Sequence, residues 1–209
     1  MSATLPQPVP ATLLPSLMRI TADQYHILLN DGGIPDGASY ELLDGFIVHK
    51  DRARLGGDPM GQDPLHVAAI NLLTDFAARV KNEGRYLQIQ APIALTALYE
   101  PEPDGAIIRG AWQKFLKSLP EPEDVLCVFE ASHSSLARDQ ETKLAAYARA
   151  GIRQYVIINL QSAFVQIHTQ PDKVAATYRT KTTFNPGESF LIDLPGESIS
   201  VAVNEILPL

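Results

Sequence analysis

A single cysteine, Cys127, stands among 209 residues. No intrachain disulfide can form, and a reducing compartment, the cytoplasm, is the expectation. Cys127 lies in the apolar run Val125-Leu126-Cys127-Val128-Phe129, which reads as a buried small side chain and not a nucleophile. No window approaches the length of uncharged apolar chain that a membrane span needs, so no membrane partner is expected. The N-terminus has no basic region followed by an apolar stretch, so no secretory signal is expected either. Cationic residues are in deficit: 17 Lys+Arg against 24 Asp+Glu give a formal charge of −7. That balance excludes a generally basic nucleic-acid binder, and any phosphate contact would need a local basic patch. Metal and nucleotide signatures are missing too. There is no HxxxH, HExxH or CxxC spacing, no GxSxG elbow and no GxxxxGK[ST] loop. Structural zinc, hydrolase-type serine chemistry and P-loop binding lack support. Gly32-Gly33 and Gly56-Gly57 open no fingerprint helix, so dinucleotide binding is unsupported.

What is present is an ordinary globular composition, 45% hydrophobic and 20% charged, which excludes a disordered chain. Pro6, Pro8, Pro10 and Pro15 crowd the start. Residues 1–20 read as a Pro-rich arm, and residues 21–209 as one domain. Thr21 reads as an N-cap for a short helix to about Asn30. Tyr40 to Lys50 reads as a hairpin around Asp44-Gly45. Residues 51–63 form a Gly-rich loop, and Pro64 opens a helix to about Asn82. Strands are expected at Tyr86–Ala91, Ile93–Thr96 and Gly105–Ile108, with a short helix from Trp112 to Leu119. Val125–Ala131 reads as a central strand buried on both faces. A long helix, Ser135 to Ala150, ends at Gly151. Gln154–Asn159 and Phe164–His168 are further strands, and Ala176 to Val203 reads as edge strands. The fold class is α/β (α+β), a mixed sheet flanked by helices.

Three residues could carry chemistry. Asp104 opens one short apolar strand, Glu130 closes another, and Lys143 lies on the next helix. Carboxylates converging beside buried surface need a cation or protonation, because an isolated buried charge is costly. A divalent metal such as Mg²⁺ meets that need with one or two carboxylates. At about 100° per residue, Leu136, Gln140, Lys143 and Tyr147 share one helical stripe. Lys143 then points inward, with Glu130 as its nearest partner. Alternatively, Asp139 and Lys143 form an exposed i,i+4 pair worth about 0.3 kcal/mol. His66 shares a face with Ile70, Leu73, Ala77 and Val80, where a satisfied core histidine is the default. Glu41 starts a strand, where a polar rim residue is the default.

Tyr40-Glu41-Leu42-Leu43-Asp44-Gly45, His66 at the head of a helix, and Glu102-Pro103-Asp104 resemble the Uma2-like proteins (DUF820), grouped with restriction endonucleases. The longest match is Phe129-Glu130-Ala131-Ser132, then Ser134-Ser135-Leu136, Asp139, Lys143 and Tyr147-Ala148-Arg149-Ala150-Gly151-Ile152. It runs on through Gln154-Tyr155, so the resemblance covers roughly residues 20 to 200. It implies the PD-(D/E)XK restriction-endonuclease-like core: a mixed sheet of about four strands around two acidic metal ligands and a lysine. Asp104 matches the motif's aspartate and Glu130 its second acid. Ser132 stands where the lysine usually does, and Lys143 fits variants in which it has moved to the next helix. Glu41 matches an extra acidic position.

The implied activity is an endonuclease hydrolysing phosphodiester bonds of nucleic acid, DNA first, with Mg²⁺ or Mn²⁺. The implied metal ligands are Asp104, Glu130 and the Ala131 backbone carbonyl, with His66, Ser132, Gln140 and Tyr147 in support. A homodimer is implied, so that two sites address two strands. Lys50, Arg52 and Arg54, or Arg109, Lys114 and Lys117, are the basic clusters that such a substrate could use. Two readings compete: a catalytically silent nuclease-fold module that binds nucleic acid or a protein, and a structural ion pair of Glu130 with Lys143.

Overall fold

The computed structural model describes residues 17–34, 40–50, 63–82, 84–133 and 135–209. The Pro-rich arm up to residue 16 and the Gly-rich loop 51–62, with Arg52 and Arg54, lie outside them.

Local chemistry explains the first elements. The Thr21 side chain accepts a hydrogen bond from the Gln24 N–H, and the Gln24 side chain accepts one from the Thr21 N–H. This reciprocal cap starts helix α1 (Ala22–Asn30). Strands β1 (Tyr40–Leu43) and β2 (Phe46–His49) pair antiparallel. Their turn puts Asp44 and Gly45 at φ 53° and 76°, the primed geometry that suits a two-residue hairpin. A Cβ on Gly45 would stand 2.6 Å from the Arg19 Cβ, so glycine is required there. Helix α2 (Pro64–Val80) begins with Pro64 in its first turn and the Asp63 carboxylate accepting from the Leu65 N–H.

Six strands form the main sheet, in spatial order β3-β4-β5-β6-β7-β8. They are β3 (Arg85–Ile89), β4 (Gly105–Arg109), β5 (Val125–Ser132), β6 (Gln154–Asn159), β7 (Phe164–Asp172) and β8 (Thr177–Phe184). Every neighbouring pair is antiparallel except β5 and β6, which run parallel. A parallel pair needs a long crossover. Here the crossover is a helix in three parts: α3 (Leu136–Arg138), a π turn (Asp139–Lys143) and α4 (Leu144–Ala150), closed by Gly151 at φ 81°. All of β5 and β6 is buried, as strands covered on both faces should be.

One core packs Leu73, Phe76 and Val80 of α2 against the sheet, and the other packs Ala146, Tyr147 and Ala148 of α4 against the opposite face. The chain end adds a separate hairpin, β9 (Ser189–Leu194) and β10 (Glu197–Ala202). Its alternate residues Phe190, Ile192 and Leu194 are buried in the α2 core. A strand with one apolar face gains more by stacking on a sheet than by extending its edge. Of the expected C-terminal edge strands, β8 alone lies at the edge of the main sheet.

Two other expectations change. Ile93–Thr96 forms no strand, because Thr96 and Tyr99 bridge back on each other and Ile93 bonds to the Pro101 carbonyl. Trp112 to Leu119 holds one 3₁₀ turn, Trp112–Phe115, whose Trp112 is exposed and finds no core to bury it. The sheet also has six strands, not about four. The class, α+β with helices flanking a mixed sheet, is as expected.

Candidate active site

Asp104 and Glu130 meet because β4 and β5 are antiparallel. Gly105 is opposite Phe129, so the start of β4 lies beside the end of β5. The Ala131 N–H donates to Asp104 Oδ2 at 2.9 Å. Glu41 is brought in by the hairpin. Leu42 and Glu100 exchange two backbone hydrogen bonds, and the Glu102 N–H donates to Glu41 Oε2 at 3.3 Å. The stretch leading into Asp104 thus serves as a partner strand to β1.

Lys143 closes the cluster from the helical face. Its Nζ is 2.9 Å from Glu130 Oε1 and 2.9 Å from Glu41 Oε2. Its side chain is 1% exposed, against 0% for Glu41 and 3% for Glu130. The exposed pair of Asp139 with Lys143 is therefore not what forms. Asp139 is itself buried, accepting from Ser132 Oγ at 2.7 Å and Ser135 Oγ at 2.6 Å. The π turn makes this possible. Its wider ring carries one residue more per turn than an α-helix, so Asp139 and Lys143 both face inward. Tyr147, one turn on, donates its hydroxyl to Glu130 Oε1 at 2.9 Å.

The electrostatics follow from crowding. Burial pushes Glu130 up to about 8; Lys143 opposes the rise, while Asp139, Asp104 and Glu41 add to it. Burial alone would depress Lys143, but Glu130, Glu41, Asp139 and Asp104 hold it above its ordinary value, so it stays charged. Burial would also raise Asp104, yet the His66 hydrogen bond and the charges of Lys50 and Lys143 hold it well below the usual carboxylate range. Glu130 and Glu41 share Lys143, with Arg138 at Glu41 and Lys50 and His66 at Asp104 as further cations; carboxylates crowded and buried in this way favour a proton or a metal.

Other expected residues sort by position. His66 Nε2 is 3.2 Å from Asp104 Oδ2, at the head of α2. This contact raises His66 above its ordinary value, against the effect of burial. Ser132 faces Asp139, and Gln140 donates to Gln166 Oε1 at 3.3 Å; among the described residues no hydrogen bond joins either to Asp104, Glu130 or Glu41. Lys50, expected only as part of a basic cluster for the substrate, joins the site itself, and Arg138 is the residue that sequence reasoning passed over. Lys50 Nζ lies 3.0 Å from Glu102 and 3.6 Å from Asp104. Arg138 donates to the His49 and Lys50 carbonyls and reaches Glu41 Oε1 at 3.8 Å. Lys50 carried a signal as the first cation of the cluster after β2. Arg138 carried none.

A model of the family Uma2, "Putative restriction endonuclease", matches residues 22–204. The chain belongs to the Uma2 family. Its fold is also similar to that of a solved structure, "a putative nuclease belonging to DUF820" from Anabaena variabilis ATCC 29413. The two are 11% identical, with a TM-score of 0.56, over 90% of this chain and 97% of the other. No curated protein matches. In this Uma2 chain no group of three or more His, Cys, Asp and Glu side chains is poised as a metal cage among the described residues. A Mg²⁺ ion needs less, because it keeps several waters and uses one or two carboxylates. Asp104 Oδ1 and Glu41 Oε1 are buried and accept no hydrogen bond among the described residues; Lys50 at 3.6 Å and Arg138 at 3.8 Å face them at ion-pair distance only. Carboxylate oxygens with lone pairs left over suit a hard cation, so the donor set fits.

Proposed function

We propose that this protein is a Mg²⁺- or Mn²⁺-dependent endonuclease that hydrolyses phosphodiester bonds of nucleic acid, DNA in the first place. The observation that carries this reading is Lys143, fully buried between Glu130 and Glu41 at the cluster that Asp104 joins. A Glu130–Lys143 pair alone would not account for Glu41 and Asp104, which bring in Arg138, Lys50 and His66 as well. Asp104, Glu130 and the Ala131 carbonyl would hold the metal, with Glu41 as a further acidic ligand. When bound, the metal supplies Lewis-acid polarisation of the phosphate and a more acidic water. Lys143 keeps its proton and offers fixed positive charge to the negative charge that develops on the phosphoryl oxygens. Tyr147 positions the Glu130 carboxylate, and His66 positions that of Asp104. Lys50, held near Asp104 and partly exposed, favours approach of a phosphate to an otherwise acidic rim.

Cleavage of supercoiled plasmid with Mg²⁺ or Mn²⁺ tests the reading. Asp104→Ala should lower the rate on the order of 10²–10³-fold. Equal residual activity in wild type and D104A would overturn it. Saturable DNA binding without metal, untouched by Glu130→Ala and with no cleavage, would point instead to a silent module.

A further inference from the structure

The opposite ends of β4 and β5 frame a second concave surface. It is a cleft of about 630 Å³ lined by Arg109, Leu126, Arg153, Gln154, Gln170 and Asp193, among others. A smaller hollow of about 480 Å³ adjoins it through Arg109 and Leu126. The larger volume is within the range of small-molecule sites. Glu130 lies four residues up β5 from Leu126, roughly 13 Å along the strand, so the cleft uses no residue of the acidic cluster.

Arg109 ends β4 and Arg153 precedes β6, so β5 runs between them. Two strand spacings put their backbones about 10 Å apart. Both are exposed, and neither guanidinium has an ion pair or hydrogen bond among the described residues. Arg85 nearby is already paired with Glu197 and bonded to the Val80 carbonyl. The one carboxylate lining the cleft, Asp193, accepts from Ser198 Oγ at 2.8 Å. Its backbone is tied to Gln154 by two hydrogen bonds of 2.7 and 2.9 Å, which fixes that wall.

The backbone is shaped here as well. The β4–β5 register steps from Ile107–Cys127 to Ile108–Val125, which leaves Leu126 as a bulge in the floor. The β7–β8 register runs unbroken past Gln170, from Thr169–Thr180 to Pro171–Tyr178, yet Gln170 sits at φ 59°. It is the one non-glycine residue inside a strand at positive φ among the described residues. Bulges re-aim side chains and gather beside sites, and a strained residue persists where its surroundings hold it.

We propose that this cleft binds successive phosphate groups, one at each arginine. A guanidinium takes a phosphate by paired hydrogen bonds, and two set apart on rigid strands suit an oligophosphate better than a lone anion. The proposal stands independently of the nuclease reading. The two sources of such a ligand are a free nucleotide and a nucleic-acid strand.

Isothermal titration of the full chain with inorganic tripolyphosphate, in EDTA at low ionic strength, tests it. Wild type should bind saturably, and R109A and R153A should each weaken binding at least about tenfold. Unchanged melting temperatures would show that both variants fold. The control is R149A, an exposed cation on α4 outside the cleft, which should bind as wild type does. No saturable binding by wild type overturns the proposal. So does binding kept in both R109A and R153A. Competition then distinguishes the sources. Displacement by ATP at lower concentration than by a short oligothymidylate identifies a free nucleotide, and the reverse order a strand. Either order upholds the site.

Discussion

At one end of β4 and β5, Asp104, Glu130 and Glu41 are buried, and the nearby lysine and arginine are drawn in to meet them. At the other end, Arg109 and Arg153 stand exposed without partners among the described residues. The same two strands therefore end in opposite kinds of charge environment. Where charges are buried, each is held by another, and removing one strands the rest in low dielectric. Where they are exposed, water already satisfies them, and their removal costs folding little. The acidic end is coupled to the stability of the fold. The arginine end is free to be specialised for a ligand.

Lys143→Ala should have the largest effect. It leaves Glu130 and Glu41 buried without their cation, so urea denaturation should show a loss of about 3–5 kcal/mol. Replacing Lys143 with Met and Glu130 with Gln together should recover part of that loss. A K143A midpoint equal to that of wild type would erase the contrast between the ends.

An intermediate effect comes from the middle of β7, at His168. His168 is held among Tyr155, Tyr178 and Lys181. Burial, helped by Lys181, lowers it to about 4 from an ordinary 6.5. Between those pH values the unfolded chain binds more protons than the folded one. His168 thus contributes stability above about pH 6.5 that is lost as pH falls towards about 4. The stability difference between wild type and His168→Gln should shrink over that window in wild type's disfavour. A difference independent of pH would show that His168 titrates normally.

The smallest effect is expected at the arginine end. R109A and R153A should each shift stability by less than about 0.5 kcal/mol. A loss above about 1 kcal/mol would mean that the guanidiniums hold the fold together, and the contrast would have to be redrawn.

Much of the fold was legible because its signals are local. The Thr21 cap, the Asp44-Gly45 turn, Pro64 at a helix start and the apolar run of β5 each carry their geometry in a few residues. Asp104 and Glu130 were legible as acids at the ends of apolar strands. The inward direction of Lys143 was one of two open readings, because the α-helical wheel cannot show a π turn. Arg138 was out of reach for a different reason. Its partners are carbonyls of His49 and Lys50, far away in sequence, and backbone acceptors leave no trace in residue identity. The placement of β9 and β10 was also hidden, since alternation gives a strand one apolar face without saying which surface covers it.

The π turn between α3 and α4 acts as a phase shifter in the crossover. Its surplus residue lets one continuous segment satisfy two rotational settings at once. At its start, Ser135 and Asp139 are aligned with Ser132 at the end of β5. After it, Tyr147 is aligned with Glu130. Take one residue out and the two halves would turn about 100° relative to each other. Either the serine clasp or the tyrosine contact would then break. The length of this segment, and not only its composition, is thus part of what holds a lysine among three acids.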